Sequence, residues 1–365
     1  MKRISILVLV PSPYSIGGVS HYYQKIQPYL PEDFAFFTRG VRYQYSVFAR
    51  LIYPLVFFYD ILRFLLIISV RRTSLIIINT SFGITGIIRD SIFIKISKIF
   101  RKKIIVFFRG IDDDVISTIT DNKLLWSLFR KSFLTVDEIW VLSGQIYNRI
   151  KSWGYKGTIR METTLVDSSL LKDYTIGKLQ QKYDNEGPSH ILFMSRLEKI
   201  KGIYETIDSF RIFLKRYPDS ILHICGDGKE KDSVLDYIGD DLDRSILFEG
   251  FVYGKRKSDI LSKSHLFVFP SKREGMPTVV LEAMAFGLPV LTTEVGGLCD
   301  FFENGKMGFV INRNDPDEIA ELMRKTLADR DLCKLVVGYN YDYAKDHYYD
   351  RVVADRIRSY VSNLL

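Results

Sequence analysis

Short runs of consecutive apolar, mostly β-branched residues recur along the chain: ISILVLV (4–10), SLIIIN (74–79), KIIVFF (103–108), EIWVLS (138–143), HILFMS (190–195), SILHICG (220–226), SHLFVFP (264–270) and PVLTT (289–293). Between them apolar positions recur at helical spacing, as in IYETIDSFRIFLKRY (203–217). Runs that are apolar at successive rather than alternate positions are strands covered on both faces, and such strands separated by helices predict parallel sheets. The expected fold class is therefore α/β, with two doubly wound, Rossmann-like halves. In such sheets ligands bind at the carboxyl ends of the strands, so a cleft between the halves is the expected site. The polar stretch 171–189, with Gly177, Gly187 and Pro188, reads as the link. The expected domains are 1–170 and 171–346, with a last helix over 347–365 packing back on the first domain.

A length of 365 residues fits two domains, and 47% hydrophobic residues excludes a mainly disordered chain. Cys225, Cys299 and Cys333 form no CxxC pair, which argues against a disulfide framework or a zinc module and for a cytoplasmic protein. The net charge of +8 is unevenly spread, with 26 basic and 15 acidic residues in 1–188. Residues 39–109 hold 13 basic side chains and two acidic ones, Asp60 and Asp90. IFIKISKIFRKK (92–103) places Lys95, Lys98 and Lys102 at helical spacing. Such a basic arc suits an anionic leaflet, or is the solvated face of an ordinary α/β domain. Nucleic acid is not expected, because no helix-turn-helix, RNP or zinc pattern accompanies the charge.

Residues 51–70, LIYPLVFFYDILRFLLIISV, are long enough to cross a bilayer, but Pro54, Asp60 and Arg63 interrupt them. Each central charge costs about 2.5–3.5 kcal/mol on an insertion scale. A buried or membrane-lying helix is predicted. MKRISILVLVPSPYS begins like a signal peptide, yet its apolar run is short and prolines follow, so it reads as a first strand.

Candidate chemistry concentrates in the second half. Glu274 and Glu282 stand eight residues apart around Pro277, which suits a helix's first turn. The amide groups near Thr278 and Val279 would then open an anion site, with the carboxylates as acceptors for sugar hydroxyls. An acidic residue favouring the helix dipole, beside an exposed helical Glu, explains the spacing equally. Arg196 and Lys201 follow a strand end, where two cations neutralise a diphosphate or simply line a solvated loop. Gly226, at the next strand end, allows close backbone approach or a turn.

These pieces, in this order, resemble the retaining glycosyltransferases of family four, which have the GT-B fold. The resemblance runs through PSPYSIGGVSHYY (11–23), SRLEKIKG (195–202), CGDG (225–228), EGFVYGKRKSDILSKSHLFVFPS (249–271) and EGMPTVVLEAMAFGLPVLTTEVGG (274–297). It implies that Glu274 contacts the donor sugar and Glu282 the nucleotide ribose. Arg196 and Lys201 fall where the family binds the donor diphosphate, and Phe251-Val252 where its backbone meets the base. Gly17-Gly18 matches the loop near donor phosphate and acceptor, with His21 close by.

Two positions depart from the pattern. Ser195 stands where glycine is common, and Arg109-Gly110 replaces a His-Gly pair found in many relatives. Arginine cannot exchange a proton near neutral pH but binds phosphate or a sugar hydroxyl, so Arg109 is a binding candidate only. Asp112, Asp113 and Asp114 offer a D-x-D metal alternative or an ordinary acidic helix start. His190, His223 and His265, in or beside apolar strands, read as structural.

The resemblance implies a sugar transferred from a nucleotide diphosphate donor with retention, without metal or cofactor. The acceptor it implies is a lipid-linked saccharide in surface polysaccharide assembly. The protein would be peripheral on the inner, cytoplasmic face of the membrane. A nucleotide-sugar epimerase of the same fold and an inactive nucleotide-sugar-binding subunit are the other readings.

Overall fold

The computed structural model describes residues 5–12, 18–40, 47–70, 72–80, 82–110 and 113–365. Contacts divide the chain into two units, residues 1–164 with 353–365, and residues 165–352.

Unit 1 is built on β1 (Ile6–Val10), α1 (Gly18–Ile26), β2 (Phe34–Thr38), α2 (Val47–Val70), β3 (Leu75–Thr80), α3 (Ile84–Ile99), β4 (Lys103–Phe108), α4 (Asp113–Asp121), α5 (Lys123–Ser132), β5 (Glu138–Val141), α6 (Gly144–Ser152) and β6 (Thr158–Met161). The strands form one parallel sheet in the order β2-β1-β3-β4-β5-β6. Each residue of β1 and β3 is buried, as continuous apolar runs require of strands covered on both faces. The strand order reverses between β1 and β3, which makes their carboxyl ends the place where a ligand can enter.

Unit 2 contains α7 (Ile176–Gln181), β7 (His190–Met194), α8 (Ile203–Leu214), β8 (Ile221–Cys225), α9 (Lys231–Ile238), β9 (Ile246–Gly250), α10 (Gly254–Lys263), β10 (Leu266–Phe269), α11 (Thr278–Ala285), β11 (Val290–Thr292), β12 (Gly308–Val310), α12 (Pro316–Ala328) and α13 (Arg330–His347). Its parallel sheet runs β12-β11-β10-β7-β8-β9, and the order reverses between β7 and β10.

The expected link, 171–189, belongs to unit 2. Its short α7 is capped by Thr175, and Leu179 and Tyr183 are buried in the core. The first division falls at Thr164/Leu165 instead of 170/171, because Val166 pairs with Tyr349 and exchanges backbone hydrogen bonds with Tyr348 and Asp350. The last helix, α14 (Asp350–Leu364), joins unit 1 from Val353 onward. There Arg356 Nη2 donates to buried Glu162 Oε1 at 2.6 Å and the Tyr360 ring lies edge-on to Trp140.

The basic stretch is only partly a solvated face. Lys95 and Lys98 are exposed on α3, and Lys98 donates to Thr135 Oγ1. Lys102 is not helical: α3 ends at Ile99, Arg101 takes φ +52°, and Lys103 opens β4. Arg39 is buried against Asp90, whose carboxylate also pairs with Arg89.

Candidate functional site

The reversal point of unit 2 gathers the predicted residues. After β7 the chain makes a tight turn, Lys199–Lys201, that ends on Gly202 at φ +79°. A Cβ at Gly202 would lie 2.5 Å from Pro270 O, so only glycine lets this turn press against the end of β10. The turn is also tied to the following loop by Lys272 N donating to Ile200 O at 2.9 Å. The result is a buried ion pair: Lys201 Nζ donates to Glu274 Oε1 at 2.6 Å, and Ser271 Oγ donates to the same oxygen at 2.9 Å. Arg196 is exposed, with Nη1 donating to Glu198 Oε1 at 3.2 Å. An ammonium and an exposed guanidinium at one strand end offer charge to a polyanion without a metal.

Pro277 is the N-cap of α11 instead of a first-turn residue, and Thr278 and Val279 open the helix. Glu282 follows one turn later, 2% exposed, with Lys257 Nζ 2.5 Å from its carboxylate. That pairing offsets the cost of burying Glu282 and leaves a carboxylate able to accept hydroxyl hydrogens. The loop carrying Glu274 is held from behind by Gly296 and Gly297. Gly297 N donates to Gly275 O at 2.7 Å, and a Cβ on Gly296, at φ +55°, would sit 2.3 Å from that oxygen.

Gly226, at the end of β8, serves close packing. Its φ is +152°, a Cβ there would come within 1.9 Å of Ser195 O, and its N–H donates to Gly250 O at 2.8 Å. Phe251 and Val252 leave the edge strand β9 beside it; the Phe251 side chain is exposed and Val252 is buried. Arg196, Lys201, Gly226, Phe251, Val252, Glu274, Thr278, Val279 and Glu282 therefore all lie within unit 2, in the loops after β7 to β10 or on α11. Lys257 and Ser271 complete the set and were not singled out by the sequence.

Unit 1 has its own polar cluster at the reversal between β1 and β3. The Arg109 guanidinium lies 3.9 Å from the Tyr22 ring centroid and 3.7 Å from that of Phe107. Its Nε donates to Asn79 Oδ1 at 3.2 Å, and Tyr23 OH donates to the same oxygen at 3.0 Å. Asn79 Nδ2 donates to Leu9 O at 3.1 Å, and Arg39 Nη2 to Asn79 O at 2.6 Å. Arg109 Nη2 is buried without a hydrogen-bond partner. Burial pushes the Tyr22 and Tyr23 phenols up, so both stay neutral beside the guanidinium. Gly18 opens α1 and His21 is exposed on it, while Gly17 lies outside the described residues. Asp113 begins α4 and pairs with Arg149 at 3.2 Å, the helix-start arrangement; Asp112 also lies outside the described residues.

Residues 177–342, which hold every one of the unit 2 candidates, match the family of glycosyl transferases group 1. Over 170 residues the chain is 33% identical to the capsular polysaccharide biosynthesis glycosyltransferase CapM of Staphylococcus aureus, covering 45% of this chain and 43% of that protein. Over 178 residues it is 26% identical to the D-inositol 3-phosphate glycosyltransferase of Corynebacterium urealyticum, covering 47% and 42%. The chain thus spans less than half the length of either relative. Among solved structures, Anabaena HepE in complex with UDP superposes with a TM-score of 0.74 at 18% identity, over 98% of this chain and 100% of that one. A glycosyltransferase from Rickettsia africae superposes with a TM-score of 0.74 at 15% identity, over 100% and 99%. The fold is that of the GT-B glycosyltransferases.

Proposed function

We propose that this chain is a retaining, metal-independent glycosyltransferase that moves a sugar from a nucleotide diphosphate donor to a lipid-linked saccharide in surface polysaccharide assembly. In this reading the ends of β7 and β10 take the diphosphate, through Lys201 and Arg196. Glu274 orients the sugar, Glu282 accepts from the ribose hydroxyls, and the Phe251-Val252 backbone meets the base beside Gly226. The Lys201–Glu274 pair carries the reading, because it puts a cation for the leaving group and an acceptor for a sugar hydroxyl on one site. As the glycosidic bond to the diphosphate breaks, negative charge grows on the leaving oxygen, and Lys201 shifts its interaction from Glu274 toward it. The family match over 177–342 and the UDP bound in the HepE structure support a nucleotide-sugar donor. CapM, named for capsular polysaccharide, supports the polysaccharide setting.

Arg109, held by Asn79 and two aromatic rings with one donor nitrogen unused, is assigned to a phosphate or hydroxyl of the acceptor, with His21 and Gly18 on α1, the helix that carries Tyr22. The basic stretch 39–109 faces an anionic cytoplasmic leaflet, where such an acceptor is anchored. A panel of nucleotide sugars incubated with purified protein and membrane lipid extract tests this. One donor should release nucleoside diphosphate, and NMR of the product should show the donor's anomeric configuration retained. Inverted product, or free epimer without nucleotide release, contradicts the proposal.

A further inference from the structure

We infer that α2 is a membrane-seating helix that lies flat in the interface of an anionic bilayer, its outward apolar face inserted among the acyl chains. The inference deepens the membrane part of the proposed function and rests on it only for the purpose the seat serves.

The inward face of α2 is anchored in unit 1. Phe64 and Ile68 are fully buried, Phe64 lies edge-on to Phe93 at 4.9 Å and to Phe37 at 5.7 Å, and Asp60 Oδ2 accepts from Gly40 N at 2.8 Å. Asp60 and Arg63 pair with each other, and Arg63 covers the Phe37 ring at 4.5 Å. From residue 53 onward the opposite face carries no charge. Leu55 is 71% exposed, Phe58 61%, Leu62 50%, Leu66 64% and Val70 62%, with Tyr59 beside them. Positions 55, 58, 62, 66 and 70 advance by three or four, and 59 stands four after 55 and three before 62, so they make one stripe. A stripe of that length and apolarity is not the scatter of single exposed leucines found on any surface.

Charge decides the occupant. The only carboxylates between residues 39 and 109, Asp60 and Asp90, are 1% and 0% exposed and paired with Arg63, Arg39 and Arg89. In sequence Arg42 precedes the helix, Arg50 lies near its start, and Arg71 and Arg72 follow it. This stretch therefore presents apolar and cationic groups without an exposed anion to offset them. A second copy seated on the stripe would set cation against cation, whereas anionic lipid neutralises the arginines while acyl chains cover the leucines. Spanning is disfavoured by the same anchoring, since a helix across the bilayer would have to pull Asp60, Phe64 and Ile68 out of unit 1.

The test uses the full chain and vesicles of phosphatidylcholine alone or with one-quarter phosphatidylglycerol. Binding to the anionic vesicles is expected, and the Leu62→Asp/Leu66→Asp variant should lower it more than tenfold with circular dichroism and UDP binding unchanged. As an independent readout, Phe58→Trp should blue-shift on binding, and lipids brominated near the headgroup should quench it more than lipids brominated near the midplane, since an interfacial helix sits about 5–10 Å deep. Unaltered binding by the aspartate variant overturns the inference. So does stronger midplane quenching, which means spanning, or a dimer in sedimentation that the variant dissolves. Loss of UDP binding with intact vesicle binding would instead overturn the donor-site reading and leave the seat standing.

Discussion

The ammonium of Lys201 and the carboxylate of Glu274 meet 2.6 Å apart although 73 residues separate them in the chain. Both are largely buried, and Ser271 Oγ donates to the same carboxylate oxygen. A diphosphate arriving at this point competes with Glu274 for Lys201. Lys201→Met should therefore weaken UDP binding by about 1.5–3 kcal/mol, the worth of a charge-assisted contact. Glu274→Gln, which releases Lys201, should leave UDP affinity unchanged or tighter while transfer falls. Isothermal titration of the two variants separates them; parallel losses of affinity would mean the pair is only a structural tie.

Glu282 and Lys257 behave differently because both partners are needed to keep a buried charge tolerable. Glu282→Gln should weaken UDP by about 1–3 kcal/mol through the ribose contact. Lys257→Met, which strands the carboxylate, should lower unfolding free energy by about 3–5 kcal/mol. Urea denaturation together with UDP titration checks both, and a neutral Lys257→Met would contradict the buried pair.

The sequence showed the eight central strands and missed β2, β6, β9 and β12. These four are the edges of the two sheets, their residues are mostly half-buried, and their apolar runs are short: four residues in β2, three in β9 and fewer in β6 and β12. The motif residues of unit 2 were legible because most follow a strand that was; Phe251 and Val252, after the missed β9, were legible only through the resemblance. Lys257 was not, since Lys255, Arg256 and Lys257 are adjacent cations and only helix phase separates them. Lys257 turns inward on the arc of Leu261, while Lys255 and Arg256 face solvent. Asn79 was hidden as the polar end of an apolar strand. The extent of exposed charge in 39–109 was overread for a related reason: the pairing of Arg39 and Arg89 with Asp90 depends on contacts between distant residues.

Gly226→Ala should be costly. The added Cβ meets Ser195 O at 1.9 Å and the φ of +152° strains any L side chain, so β7 and β8 must part at their carboxyl ends. A loss of about 2–4 kcal/mol is expected by denaturation, with UDP binding weakened in step. Wild-type stability in this variant would contradict the packing described.

A stack of three histidines predicts pH-dependent stability in unit 2. His190 Nδ1 and His223 Nε2 are 2.9 Å apart, His223 Nδ1 is 2.8 Å from Glu249 Oε1, and His265 Nδ1 accepts from His190 N at 3.0 Å. Burial holds His190 and His265 down at about 4 and lowers His223. The unfolded chain takes up these protons near pH 6.5, so stability is full above that and falls between about 6.5 and 4, then levels. The trio should therefore lower the unfolding free energy as pH falls through this range. Urea midpoints from pH 4.5 to 7 should flatten in His190→Gln/His265→Gln; an unchanged slope would contradict the assignment.

The central claim is that the Lys201–Glu274 site carries sugar transfer without a metal. Its most direct test is nucleoside diphosphate release from the preferred nucleotide sugar, with acceptor extract, in excess EDTA. The wild type should retain its rate, and Lys201→Ala should lose more than tenfold, at least about 1.4 kcal/mol of transition-state stabilisation. A rate abolished by EDTA and restored by Mg²⁺ or Mn²⁺, with Lys201→Ala near wild type, would contradict it.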